Sequence, residues 1–212
     1  MIKRNVLIVV DAQNGFCEGG ELASTGAAQT CQKIAEYLSE HSREYVTVIL
    51  SKDWHIAPGE HFKTWPIHCV AGTRSADFFW PIQDWIDGQG TDETTRHLIS
   101  EVRKGQYSDG YSAWGATSSI NGFSTDQLIR TAVSYSCIGI DGVDLTIDVC
   151  GLVTEHCVKA TVLDALKMKW ASASNKLTVR LLEDLTTAHS KRDEVDALFD
   201  MESAGAIVSS SS

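Results

Sequence analysis

The sequence predicts an α/β fold: a single domain built on an open parallel sheet, with helices on both faces in a Rossmann-like three-layer arrangement. Three observations carry this. Residues 6–10 (Val-Leu-Ile-Val-Val) and 147–153 are near-continuous apolar runs, the pattern of strands buried on both faces. Between such runs apolar residues recur at helical spacing, and strands alternating with helices imply parallel pairing through crossovers. The 212 residues suffice for one sizeable core and are short for two.

Taken in order, the first strand is expected at 6–10 and ends at Asp11. Asn14-Gly15 and Gly19-Gly20 make a loop, and residues 29–42 carry helical spacing through Ile34, Tyr37 and Leu38 before a second strand at 45–50. A Trp-rich segment at 78–90 reads as irregular. Residues 97–103 form a weaker third strand, interrupted by charges and ending at Lys104. A helix is expected at 125–135, with Ser124 or Thr125 as its cap. The fourth strand spans 143–153 and leads into Thr154-Glu155-His156-Cys157. Val158, Thr161, Val162, Ala165, Leu166 and Met168 then recur at helical spacing. A fifth strand at 178–182, a helix at 190–204 and a short strand at 206–208 complete a domain spanning 1–208. The last four serines, 209–212, are expected to fray. Residues 134–145 make a long connection between the helix at 125–135 and the fourth strand.

Eighteen basic against 28 acidic residues give a net charge of −10. Such a surface repels phosphate backbones and anionic lipid, so neither nucleic acid nor a membrane is an expected partner. The apolar run after Lys3-Arg4 is too short for a secretory signal, and no stretch approaches the roughly 20 apolar residues needed to span a bilayer. Six cysteines without paired spacing look like reduced thiols. A cytoplasmic protein, monomeric or homo-oligomeric, acting on a small molecule is expected.

The residues between 53 and 73 concentrate metal-binding chemistry. Asp53 and His55 lie two apart at a strand end, so in extended chain their side chains share a face, and Pro58-Gly59 turns the chain so that His61 and His68 can close on the same point. One carboxylate and three imidazoles suit a divalent Zn²⁺, Fe²⁺ or Mn²⁺ ion, whereas Ca²⁺ wants oxygen and Cu⁺ sulfur. Any one of these histidines alone would ordinarily be a surface or core residue; the argument lies in the cluster. Cys69, adjacent to His68, is expected to point away and pack.

Asp11, Asp53, Lys104 and the turn at 154–157 all follow predicted strands, and in open parallel sheets sites form at the carboxyl ends of strands. Cys157 is the candidate nucleophile. With Thr154 as helix cap, its thiol would sit at the third helical position, where free N–H groups and the positive end of the dipole favour a thiolate and could hold an oxyanion. Cys17, Cys31, Cys137 and Cys150 read as packing. Asp11 and Lys104 beside a thiol supply the base and cation that amide hydrolysis through a thioester requires.

Asp11-Ala12-Gln13-Asn14-Gly15-Phe16, the stretch 53–72, Lys104-Gly105 and Gly151-Leu152-Val153-Thr154-Glu155-His156-Cys157-Val158 together resemble the nicotinamidases among the isochorismatase-like cysteine hydrolases. The similarity runs over nearly the whole chain. It implies Asp11, Lys104 and Cys157 as catalytic triad and Asp53, His55 and His68 as ligands of one divalent metal ion. His61 matches a metal-binding position used in some members. Phe16 and Trp65 match residues that sandwich a pyridine ring, with Tyr111 taken as substrate-binding beside them. The N–H groups of Val153 and Cys157 match an oxyanion hole, with a cis peptide before Val153. Gly15 stands where the family usually has Asp, a change expected to touch loop order rather than chemistry. The resemblance implies hydrolysis of nicotinamide to nicotinate and ammonia, in NAD salvage, with pyrazinamide accepted as an isostere. A related cysteine hydrolase for another small amide or an N-carbamoyl compound, and a non-catalytic metal-binding protein on the same fold, are the alternatives.

Overall fold

The computed structural model describes residues 2–56, 59–89, 99–106, 109–138, 142–170 and 176–211. Its sheet contains β1 (Ile2–Val10), β2 (Thr47–Asp53), β3 (Ile99–Lys104), β4 (Thr117–Ser118), β5 (Val143–Leu152), β6 (Leu177–Thr187) and β7 (Ile207–Ser209), in the order β4-β3-β2-β1-β5-β6-β7. All pairings are parallel except β3 with β4. Strand order reverses at β1, where the chain builds outward first through β2 and β3 and later through β5, β6 and β7. That reversal opens a crevice at the carboxyl ends of the central strands.

Helices α1 (Ala27–His41) and α2 (Trp80–Gly88) cover one face, where Ile34, Leu38, Ile82 and Trp85 pack on Leu7, Val9, Leu50 and Leu152. Helices α3 (Thr125–Ser136), α4 (Lys159–Leu166) and α5 (Lys191–Ser203) cover the other, packing Ile129, Val162 and Met201 on Val6, Ile8, Ile147 and Val149. The alternation of odd and even residues between the two clusters is the period of two that a strand imposes. Three of the helix starts are capped by side chains. Ser124 and Gln127 form a reciprocal capping box on α3, and the Ser190 hydroxyl accepts the Asp193 N–H on α5. Glu18, from a loop, accepts the N–H groups of Gly26 and Ala28 at the start of α1.

A carboxylate is buried in this packing: Asp148 on β5 is fully enclosed, held by Nε and Nη2 of Arg180 at 2.8 and 2.6 Å and by the Tyr45 hydroxyl at 2.8 Å, which in turn meets Tyr37 on α1.

The single-domain α/β sheet agrees with the sequence reading, with four corrections. Residues 80–88, expected to be irregular, form α2: Pro81 suits the first turn, and Ile82, Trp85 and Ile86 face inward, a single repeat too short to stand out as periodic. The sheet is not wholly parallel, because the two-residue β4 runs antiparallel at the edge. Strands β2 and β6 run on to Asp53 and Thr187. The tail does not fray at 209, since Ser209 closes β7 and both the N–H and hydroxyl of Ser211 bond to Asp184. Part of the third-strand expectation (97–98) and part of the segment 134–145 (139–141) lie outside the described residues. Among the described residues, no helix is long and apolar enough to cross a membrane.

Candidate active site

The carboxyl ends of β1, β2, β3 and β5 bring the sequence-distant polar groups together. Asp11 immediately follows β1 in the left-handed region (φ 48°), a conformation held by its own contacts: its N–H meets Ser51 O at 3.2 Å and Ser51 Oγ donates to Oδ1 at 2.7 Å. Lys104 ends β3 and Asp53 ends β2. The Lys104 ammonium, almost wholly buried, lies 2.8 Å from Asp11 Oδ2, 2.5 Å from Asp53 Oδ1 and 3.4 Å from Cys157 Sγ. Asp11 Oδ2 has an ion-pair neighbour but no aligned hydrogen-bond donor, and Asp11, Asp53 and Cys157 offer atoms within 4.8 Å of one another. A carboxylate oxygen that can accept a proton therefore sits beside the thiol.

Charge in this cluster is set by burial and pairing. Burial raises the Asp11 pKa, and the Lys104 charge only partly offsets it. Burial also opposes ionisation of Asp53, but Lys104 and then His55 win and hold it below the usual carboxylate range. Lys104 is pushed well up, because the attraction of Asp11 and Asp53 outweighs its burial. Burial drives Cys157 well above an ordinary thiol; Lys104 lowers it while Asp11 and Asp53 raise it. Burial and the two carboxylates thus work against the thiolate expected from a helix end, and the local geometry removes part of its basis. Val153, not Thr154, stands at the cap position; Thr154 Oγ1 is buried without a partner; and Cys157 is the fourth residue of a wide turn, Thr154–Val158, that runs into α4. The Leu152–Val153 peptide is cis, as expected. Just before it, Gly151 (φ 123°) lets β5 approach β1 so closely that a Cβ would collide with the Val10 backbone.

Beside this cluster His55, His61 and His68 offer nitrogens within 4.8 Å of one another. His55 Nδ1 lies 3.1 Å from Gly105 O and His68 Nδ1 2.7 Å from Pro66 O, an arrangement in which each Nδ1 donates and each Nε2 keeps its lone pair. The two Nε2 atoms point toward Asp53 Oδ2, at 3.5 and 3.9 Å, and His55 Nε2 is buried with no hydrogen-bond partner. His61 stacks on His55 at 4.1 Å. Burial, reinforced by the neighbouring imidazoles, pulls His61 down to about 4, and burial also lowers His68, so both are neutral at pH 7 as metal ligands must be. An unpartnered buried nitrogen among neutral imidazoles and a carboxylate fits a divalent ion. Asp53 contributes one oxygen here and gives the other to Lys104. Gln13 fixes its backbone, donating to Asp53 O and accepting from Asp53 N, each at 2.8 Å.

A narrow cleft of about 40 Å³ joins the two groups, lined by Phe16, Leu22, Trp65, Tyr111, Val153 and His156 among others. Trp65 Nε1 donates to the Tyr111 hydroxyl at 3.0 Å, and Tyr111 stacks on His156. Cys69 is buried and packs, as expected, with burial pushing its thiol above the ordinary range.

No family model matches the chain. It is 37% identical over 205 residues to the nicotinamidase/pyrazinamidase of Mycobacterium tuberculosis, covering 93% of this chain and 94% of that one. The chain belongs to the nicotinamidase/pyrazinamidase family. The fold agrees: the pyrazinamidase of Pyrococcus horikoshii, solved in complex with zinc, superposes with a TM-score of 0.73 at 26% identity, covering 98% and 99% of the two chains. Yeast nicotinamidase bound to the inhibitor nicotinaldehyde shares the fold at TM-score 0.73 and 20% identity, covering 97% and 99%.

In this nicotinamidase-family chain Phe16, Asp53, His61, Trp65, His68, Tyr111, Val153 and Cys157 line one cleft, with Asp11 and Lys104 in contact behind Cys157 and His55 beside His61 and His68. Sequence reasoning missed Ser51, Gln13, Leu22, His156 and His189. Ser51 lies two residues before Asp53 on β2 and Gln13 two after Asp11, so strand periodicity could have marked the first. His156 adjoins Cys157, whereas Leu22 and His189 carry no local signal.

Proposed function

We propose that the protein hydrolyses nicotinamide to nicotinate and ammonia, accepts pyrazinamide, and serves NAD salvage in the cytoplasm. The observation that carries this is the single buried contact of Asp11, Lys104 and Cys157 at the strand ends, opening into a cleft that also holds three clustered imidazoles. Asp11 takes the Cys157 proton as sulfur attacks the carboxamide carbon, forming an S–C bond and a tetrahedral oxyanion. The N–H groups of Val153 and Cys157 receive that oxyanion. Lys104 steadies the negative charge as it passes between carboxylate and sulfur. The C–N bond then breaks, with the proton on Asp11 leaving on ammonia. Water, deprotonated by Asp11, cleaves the thioester and restores the thiol. Phe16, Trp65 and Tyr111 hold the ring. Asp53, His55, His61 and His68 would carry one divalent ion (Zn²⁺, Fe²⁺ or Mn²⁺), which when bound supplies a Lewis acid for the ring nitrogen.

The test is ammonia release from nicotinamide, pyrazinamide and benzamide. The two ring-nitrogen substrates should turn over and benzamide poorly, since orientation is worth on the order of 7 kcal/mol in such sites. Cys157→Ser should stay folded and lose several powers of ten in rate. Benzamide turning over as fast as nicotinamide, or a serine variant keeping about a tenth of the rate, overturns the assignment.

A further inference from the structure

At the outer end of the cleft, Glu155 and His156 on the turn Thr154–Val158 meet His189, which precedes α5. The three offer one oxygen and two nitrogens within 4.8 Å of one another. Glu155 Oε1 accepts the His189 N–H at 3.1 Å and lies 2.6 Å from His189 Nδ1. That pairing leaves Oε2, buried and without a partner, on a side chain only 10% exposed. His156 is half-buried between Tyr111, on which it stacks, and His189, whose ring it meets edge to face at 6.0 Å. A surface Glu–His hydrogen bond accounts for Oε1 but for neither the orphaned Oε2 nor the second imidazole. Burial holds His156 below its ordinary pKa, leaving it with a free lone pair.

We propose that Glu155, His156 and His189 form a second divalent transition-metal site at the cleft mouth, separate from the three-histidine cluster. The O,N,N set matches Zn²⁺, Co²⁺ or Ni²⁺, whereas Ca²⁺ and Mg²⁺ prefer oxygen alone. Bonds of about 2.0–2.2 Å draw the three atoms inward from their present spacing. When His189 Nδ1 is the ligand, its hydrogen moves to Nε2, and binding weakens as pH falls because protonated imidazole and carboxyl groups cannot ligate. Because His156 adjoins Cys157 and both histidines line the cleft, an ion here sits across the path to the thiol. Excess metal therefore shields Cys157.

The probe is Co²⁺, read by equilibrium dialysis and visible absorption, with Zn²⁺ as competitor, on the wild-type protein and on His189→Ala, Glu155→Gln and Cys157→Ser. Wild type should bind two ions. His189→Ala and Glu155→Gln should keep the first, which also reports that they are folded, and weaken the second at least tenfold. Cys157→Ser should keep both. Excess Zn²⁺ should slow iodoacetamide alkylation of Cys157 in wild type, at a midpoint at least tenfold lower than in His189→Ala. Second-ion binding as tight in His189→Ala and Glu155→Gln as in wild type overturns the proposal. So does loss of the second ion in Cys157→Ser, which would assign it to the Asp11, Asp53 and Cys157 atoms instead.

Discussion

Replacing Lys104 by Met removes the one cation that Asp11 and Asp53 share while nearly keeping side-chain volume. The ammonium lies 2.8 and 2.5 Å from the two carboxylates, and all three side chains are at most 7% exposed. At an effective dielectric constant of about 20, charges roughly 3 Å apart attract by about 5–6 kcal/mol per pair. Much of that is offset by desolvation, but deleting one partner of a buried pair strands the other and costs about 3–5 kcal/mol. For a chain of this length that is a fall in Tm of very roughly 6–20 °C. The pH dependence has a definite sign. In wild type, Asp53 is held below its unfolded value, so its contribution is present above the unfolded carboxylate pKa and lost as pH falls. In Lys104→Met, burial and the mutual repulsion of the carboxylates are opposed only by Ser51 and His55, so Asp11, already raised in wild type, rises further and Asp53 rises as well. The stability of that variant is intact below about pH 4 and is lost as pH rises through the folded pKa values. The gap between the two proteins should thus be widest at neutral pH and shrink on acidification. Urea denaturation of both chelated proteins at pH 7 and pH 4.5 measures it. A gap under about 1 kcal/mol at pH 7, or one that does not narrow at pH 4.5, would show that the cluster is not held by this cation.

Gly105 has a φ of 75°, and a Cβ there would lie 2.6 and 2.7 Å from His55 Cε1 and Nδ1. Gly105→Ala should cost about 1–2 kcal/mol of backbone strain and displace the buried ring, weakening metal binding about 10–100-fold in a chelator competition; unchanged affinity would mean His55 is no ligand. His55→Ala should lose the ion and most nicotinamide turnover yet keep the alkylation pH profile of Cys157. Asp53→Ala should instead shift that profile to lower pH, because the Asp53 charge raises the thiol pKa; identical profiles in the two variants would refute the shared role of Asp53.

The buried strands were legible because a two-sided strand has no polar face to blur the pattern, and the site followed because polar residues terminate those strands. Less legible was whatever depends on distance across the sheet. The α2 helix is only nine residues long, β4 is two residues long, and His189 reaches the cleft from the loop after β6. The protonation of Cys157 could not be read either. Position near a helix start argues for a thiolate, but full burial beside two carboxylates works against it, and the depth of that burial shows only in three dimensions.

Asp148 and Arg180 are direct partners in the β5–β6 register. In a sheet whose central strands are almost uniformly apolar, hydrophobic burial alone discriminates weakly between neighbouring alignments, since Val, Ile and Leu fit either face. A slip of one residue would turn Asp148 to the opposite face of β5, away from Arg180 and Tyr45, leaving a carboxylate enclosed by Ile129, Val162 and Met201 with no donor to meet it. The Asp148 network thus selects one alignment of the central strands, and with it the alignment that brings Val153 and Cys157 level with Asp11.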